Sequence, residues 1–222
     1  MNTLVIAVDG PSGSGKSSVS KAVADYFNLA YLDTGAMYRA LTWYCLEQSV
    51  DLTNAQQIID TAERFPLEQG TSTAEESIRV GGVDVAEAIR EPRISEAVSA
   101  VASVPRVREI LIRMQRDAIA SAPHGMVAEG RDITTVVAPD ADARILLTAS
   151  EQVRLARRGI QLGGTQSESE LKAQVTQRDA KDSKVNNFTE AADGVVLVDS
   201  SDLDFEQTIQ AVIDAVNTQI NS

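Results

Sequence analysis

The sequence predicts an α/β protein with helices on both faces of a central, mostly parallel sheet, in three layers. Three observations carry this. Apolar runs of strand length alternate with segments of helical period along the chain. The first run, residues 4–8, is continuously apolar, as a strand covered on both faces must be. It leads straight into a glycine-rich loop and a helical pattern. Strands separated by helices pair in parallel through crossovers.

The elements follow in order. Residues 4–8 form the first strand and end at Asp9. A helix over 17–27 places Val19, Val23 and Phe27 on one face. Residues 30–32 are a short second strand, and 36–48 a second helix. Thr53 is placed to cap a helix running to about residue 64. Residues 65–91 differ in character: Ile78 to Val85 alternates around Gly81-Gly82, the pattern of a hairpin. This stretch reads as a small insert in a core made of 1–64 and 92–222. Helices over 92–102 and 105–120 each open with a proline, whose fixed φ suits a first turn. The second carries a stripe of Val107, Ile110, Leu111 and Met114. Strands are expected at 126–128, 143–148 and 194–198. Ser150 can cap the helix between the last two, and Ser167-Glu-Ser-Glu170 is a capping box for a helix reaching about residue 181. A final helix over 204–219 should turn Phe205, Ile209, Val212, Ile213 and Val216 inward.

Composition narrows the function. The chain has 222 residues, 20 Lys+Arg against 32 Asp+Glu, and a net charge of −12, which argues against a protein that coats nucleic acid or an anionic membrane. The length suits one compact domain that buries about 70% of its unfolded surface. One cysteine, Cys45, excludes an intramolecular disulfide, and one histidine, His124, makes histidine-based catalysis or a paired-histidine metal site a poor fit. No apolar run reaches the roughly 18 residues of a membrane span, and the start lacks a secretory layout. The expectation is a cytoplasmic monomer.

The chemistry begins at Gly10-Pro11-Ser12-Gly13-Ser14-Gly15-Lys16-Ser17, which matches G-x-x-x-x-G-K-[ST] without deviation. Gly13 and Gly15 let the backbone turn its N–H groups inward onto phosphate oxygens. Lys16 supplies a charge for the β- and γ-phosphates, and the Ser17 hydroxyl suits Mg²⁺. Ser18 continues the helix whose N-terminus faces the anion. No N-K-x-D occurs to read guanine, and no apolar run ends in paired acids, so a regulatory GTPase and a motor ATPase are disfavoured.

Arginines recur where strands end. Asp33-Thr-Gly-Ala-Met-Tyr-Arg39 follows the second strand and Glu129-Gly-Arg-Asp132 follows a later one. Arg154, Arg157 and Arg158 share a helix face, and Arg178-Asp-Ala-Lys-Asp182 closes another helix. Arginines at several strand ends suit two phosphate-bearing ligands. Taken singly, each residue has an ordinary reading. Arg39 could pair with a nearby acid, Asp33 could cap a helix, and Asp132 could serve a turn. Ser99 could be a small helix residue, and Arg108 and the 154–158 face could be solvated.

The ordered set resembles bacterial cytidylate kinases from end to end. It comprises the phosphate loop, Asp33-Thr-Gly-Ala-Met-Tyr-Arg39, Pro105-Arg-Val-Arg-Glu109, Gly130-Arg-Asp132 and Arg178-Asp-x-x-Asp-Ser183. The resemblance implies a nucleoside monophosphate kinase fold with an NMP-binding insert at about 65–91 and a lid at about 150–166. It implies transfer of the γ-phosphoryl of ATP to CMP or dCMP with Mg²⁺. Residues Gly10 to Ser18 and Arg157 would then hold ATP. Lys16, Arg131, Arg154 and Arg158 would act on the transferring phosphoryl. Thr34, Arg39 and Arg131 would meet the acceptor phosphate, Ser99, Arg108 and Asp132 would read cytosine, and Arg178 and Asp182 would meet the sugar. One departure stands out: an arginine common in the family three residues after Asp182 is Val185 here, with Lys184 before it. The rivals are a small kinase with another acceptor (UMP, shikimate or dephospho-coenzyme A) and a non-catalytic ATP-binding regulatory module.

Overall fold

A computed structural model describes residues 3–75, 77–161 and 190–221. In chain order the elements are β1 (Leu4–Asp9), α1 (Lys16–Phe27), β2 (Ala30–Asp33), α2 (Thr34–Glu47), α3 (Ala55–Ala62), β3 (Leu67–Gln69), β4 (Ile78–Val80), β5 (Val83–Asp84), α4 (Pro92–Ala102), α5 (Pro105–Ser121), β6 (Gly125–Gly130), β7 (Ala143–Thr148), α6 (Glu151–Gln161), β8 (Val196–Asp199) and α7 (Phe205–Ile220). A π-helical turn, Ile133–Val137, lies between β6 and β7. The expected Ser167–Glu170 capping box, its helix, and the second part of the lid lie outside the described residues. So do Arg178 and Asp182.

The main sheet has five strands in the order β2-β6-β1-β7-β8, and β1 runs parallel to β6 and β7, as β7 does to β8. The α/β expectation with a central parallel sheet therefore holds. β1 sits in the middle, which is why residues 6–8 are fully buried and why the run is apolar without alternation. The register sets Asp9 level with Gly130 and with Leu146. The turns after β1 and β6 therefore leave the same carboxyl edge of the sheet, where ligands bind in folds of this class.

By contact the chain divides into two compact units, Met1–Tyr31 with Ala122–Ser222, and Leu32–Ser121. In the first, Val19 and Val23 of α1 and Val212, Ile213 and Val216 of α7 pack with Ile6, Val8, Ile145 and Leu147 of the sheet. In the second, α2 to α5 enclose Leu41, Cys45, Ile58, Ile89, Val101, Val107 and Leu111. The expected hairpin at 78–85 is present as β4 and β5, with β3 added as a third antiparallel strand.

Several local expectations are corrected. Asn54, not Thr53, caps α3, because Asp51 Oδ1 already accepts both the Thr53 N–H and its hydroxyl. The helix stops at Ala62. Phe205 opens α7 but is 50% exposed, so it does not join the inward stripe. α2 begins two residues early because Asp33 caps it, its Oδ1 accepting from Ala36 N at 2.9 Å. β6 is longer than 126–128, and the last strand lies at 196–199.

Burial of Cys45 pushes its thiol up to about 11. The folded state therefore holds this proton more tightly than the unfolded chain, whose thiol ionises near its ordinary value. Stability from this group is complete below the unfolded value and is lost as pH rises toward 11. Native protein at pH 8 should resist thiol alkylation and become labelled only on denaturation; labelling of the folded protein at the denatured rate would contradict the packing. Melting temperature should also fall from pH 8 to pH 10.5, and a Cys45→Ala variant should show a smaller part of that fall.

Candidate active site

The phosphate loop bridges β1 and α1. Gly10, Gly13 and Gly15 all have positive φ, and two of them leave no space for a side chain. A Cβ on Gly10 would run into the Leu147 carbonyl oxygen of β7, and one on Gly13 would lie 2.5 Å from the Arg154 carbonyl oxygen. Helix α1 starts at Gly15 without a side-chain cap and without an acidic residue in its first turn. Its first N–H groups are therefore left for an anion, with the positive end of the helix dipole behind them. Lys16 Nζ donates to the Pro11 carbonyl at 3.4 Å, and Ser17 and Ser18 are exposed. Ser14 Oγ is buried and has no partner among the described residues, so a hydroxyl inside the loop faces no protein acceptor or donor.

Three arginines donate to the backbone of this loop. Arg131 Nη1 donates to the Gly10 carbonyl at 2.7 Å, Arg154 Nη1 to that of Ser12 at 2.9 Å, and Arg157 Nη1 to that of Ser14 at 3.1 Å. Alternate carbonyls of the loop are thereby each taken up by a guanidinium. Arg157 goes further: it also donates to Ser200 Oγ at 2.9 Å and to the carbonyls of Ser200 and Leu203 at 3.0 and 3.2 Å. It clamps the segment after β8 to the phosphate loop. Arg154, Arg157 and Arg158 are all half-buried on α6, whose first turn is held by Ser150 as expected.

The turn after β6 carries Arg131 and Asp132. Asp132 is buried and occupies the cap position of the π-helical turn, yet its side chain makes no cap bond. Those donors go to Asp9 instead: Oδ1 accepts from Ile133 N at 2.9 Å, and Oδ2 accepts from Thr134 N at 2.8 Å and Thr134 Oγ1 at 2.6 Å. Burial pushes the Asp9 carboxyl above its ordinary range, the three donors pull it back, and nearby Asp132 adds to the rise. At the end of β6 the buried Glu129 accepts from Tyr31 OH at 2.6 Å.

In the second unit Thr34 is buried at the start of α2, and Arg39 pairs with Asp33 at 2.9 Å. Gly35 fits between them: a Cβ there would lie 3.1 Å from both Arg39 Nη1 and Asp33 Oδ1. Asp33 is further held through its carbonyl, which accepts from Gln69 Nε2 at 3.0 Å. Arg39 Nε is buried without an acceptor among the described residues. Ser99 on α4 and Arg108 on α5 are both half-buried.

A family model described as cytidylate kinase matches residues 6–218. The chain belongs to the cytidylate kinase family. It is 45% identical over 214 residues to a cytidylate kinase of Streptomyces avermitilis, covering 96% of this chain and 92% of that one. It is also 45% identical over 214 residues to a cytidylate kinase of Cutibacterium acnes, covering 96% of each. Among solved structures, TT1252 from Thermus thermophilus superposes with a TM-score of 0.51 over the full length of both chains at 15% identity, a likeness of fold. Within a cytidylate kinase the sequence motifs named Arg131, Arg154 and Arg157, but not what they hold. They also missed Asp9, Thr134 and Ser200. The one available signal for Asp9 was an acidic residue ending an apolar strand.

Proposed function

We propose that this chain transfers the γ-phosphoryl of ATP to CMP or dCMP, giving ADP and CDP or dCDP. The observation that carries this is a phosphate loop whose alternate carbonyls accept from Arg131, Arg154 and Arg157, in a chain of the cytidylate kinase family. Carbonyls occupied by guanidinium groups leave the loop N–H groups to meet the β- and γ-phosphates, with Lys16 adding its charge. The acceptor is a phosphate already ionised at neutral pH, so no general base is required. Catalysis then rests on positioning and on neutralising charge in a loose transition state.

Arg39 and Thr34 are the residues for the acceptor phosphate, and the buried Arg39 Nε supports that role, since it has no acceptor among the described residues and an unpaired buried N–H is costly. Arg131 and the α6 arginines flank the transferring group. Asp132 accepts from the exocyclic amine of cytosine, Arg108 donates to its O2 and N3, and Ser99 completes the base contact. Arg178 and Asp182 meet the sugar. The segment 65–91 is the monophosphate-binding insert and 150–166 the lid. Mg²⁺ fits the exposed Ser17 hydroxyl beside Lys16. No cluster of three metal-ligating side chains exists among the described residues, so its other oxygens would come from phosphates and water. When bound it neutralises phosphate charge. No described helix is long and apolar enough to cross a membrane, and the proposed setting is a monomer in the cytoplasm with no nucleic-acid or membrane partner.

The test is ADP formation from ATP and Mg²⁺ with CMP, dCMP, UMP, AMP or no acceptor. Fast turnover restricted to CMP and dCMP is the expected result. A faster rate with another acceptor would discard the cytosine assignment, and no acceptor-dependent rate would discard the kinase. Asp132→Ala should raise the KM for CMP about 10- to 100-fold, the equivalent of about 1–3 kcal/mol for an unpaired buried donor. Its KM for ATP should change less than about twofold, because the contact assigned to this side chain is to the base of CMP; equal losses for both substrates would assign Asp132 a structural task.

A further inference from the structure

We infer that Gln69 is a positioning residue of the acceptor site: from the sheet of the insert it holds the backbone of Asp33 and, through the Asp33 carboxylate, sets the guanidinium of Arg39. The inference rests on the proposed CMP kinase activity and adds to it a residue that no sequence motif named.

Gln69 ends β3, in a place unusual for a glutamine. Side chains alternate along a strand, and here Leu67 and Gln69 are half-buried while Glu68 between them is exposed. Leu67 packs against the core of the second unit. Gln69 stands opposite Ile78 of β4, which belongs to that core and is 4% exposed. Residues opposite one another in an antiparallel pair share a face, so a polar amide occupies the apolar side of this sheet. An apolar residue would pack there without burying a polar group. The bond it makes accounts for the glutamine: Nε2 donates to the Asp33 carbonyl at 3.0 Å.

Asp33 does not need that bond to be satisfied. It is the N-cap of α2, and an N-cap carbonyl already accepts the first bond of its helix. Nor is Gln69 satisfied by it. A carbonyl only accepts, so the amide must turn its NH₂ group toward Asp33, and Oε1 is then buried with no donor among the described residues. A buried acceptor left in that state lowers stability. Gln69 therefore weakens the fold at one atom and holds Asp33 with the other.

Asp33 in turn holds the guanidinium. Its Oδ1 accepts from Ala36 N at 2.9 Å and its Oδ2 from Arg39 Nη2 at 2.9 Å. The residue is fixed at its carbonyl and at both carboxylate oxygens, so neither its peptide plane nor its side chain turns without breaking a bond. Arg39 is gripped at Nη2, and its buried Nε has no acceptor among the described residues. Gln69, Asp33 and Arg39 all lie in the second unit.

The experiment is Gln69→Leu, which keeps the bulk and removes both polar atoms, made in the parent and in an Arg39→Ala background. The melting temperature of Gln69→Leu should equal or exceed the parent's, because the unpaired acceptor is gone. Its kcat/KM for CMP should fall about 10-fold, with more of the loss in KM than in kcat. Its KM for ATP should stay within about twofold. In the Arg39→Ala background the same substitution should change kcat/KM for CMP less than about twofold, because its effect runs through the guanidinium. A lowered melting temperature with unchanged CMP constants, a variant that does not fold, equal losses toward ATP and CMP, or the same loss in both backgrounds would make Gln69 a structural residue and overturn the proposal. If Arg39→Ala is too slow to measure, the melting temperature and the two substrate constants of Gln69→Leu decide. A parent protein inactive on CMP would overturn the activity and the proposal together, whereas an active parent with an unselective variant overturns the proposal alone.

Discussion

Lys16→Ala should lower kcat by about 10³-fold, a loss near 4 kcal/mol of transition-state stabilisation. The side chain sits half-buried at the start of α1, and its ammonium reaches back to the Pro11 carbonyl across the mouth of the loop. Its bond to the neutral Pro11 carbonyl at 3.4 Å is weak, and losing that bond costs the fold little. The far-ultraviolet circular dichroism and melting temperature of the variant should match the parent. The charge, by contrast, acts where negative charge spreads over the transferring oxygens, and water does not replace it there. A variant retaining more than a tenth of the parent rate would sink the phosphate-loop reading. A variant that lost both rate and fold would show Lys16 to be structural.

Gly10→Ala should damage stability and ATP use together. The new methyl group would be driven into the Leu147 carbonyl oxygen, a backbone atom of the neighbouring β7, and would also press on Lys16 Cδ at 3.3 Å. Neither β1 nor β7 can move away without breaking the register that sets Asp9 beside Leu146. Overpacking against backbone costs about 3 kcal/mol, which in a protein of this size lowers the melting temperature by about 6–12 °C. The loop N–H groups shift with the strand end, and displacements of about 1 Å at such a site cost about 100-fold in rate. The KM for ATP and the melting curve report the two effects. A Gly10→Ala protein with parental stability would mean that the strand ends are far more yielding than their packing indicates.

What could be seen in advance depended on how local its cause was. Residues 92–102 and 143–148 were recoverable to the residue, because a proline at a helix start and a run bounded by polar residues are written in neighbouring positions. The phosphate loop was equally plain, since its glycines and lysine serve one local backbone path. Asn54 and Thr53 are both good caps, and only the competing bonds of Asp51 decided between them. Phe205 shares the helical period of Ile209 and Val212, but period cannot tell how far along a helix its packing partners reach. The π-helical turn has no residue signature at 133–137; it exists because Asp9 binds its first donors from another strand. The arginines announced an anion site by their number. Their attachment to the carbonyls of Gly10, Ser12 and Ser14 depends on segments more than 100 residues apart, which no spacing rule reaches.

The clamp made by Arg157 has an electrostatic consequence for the whole molecule. All four of its bonds among the described residues end on carbonyl or hydroxyl oxygens, none on a carboxylate. A guanidinium anchored that way is immobile yet keeps its full formal charge. Around it lies a chain of net charge −12, whose distant field repels polyanions. A triphosphate approaching at random meets repulsion over most of the surface and a fixed attractive charge at one address. Raising ionic strength weakens both, and within a Debye length of about 10 Å at 0.1 M salt the fixed charge is the one that survives.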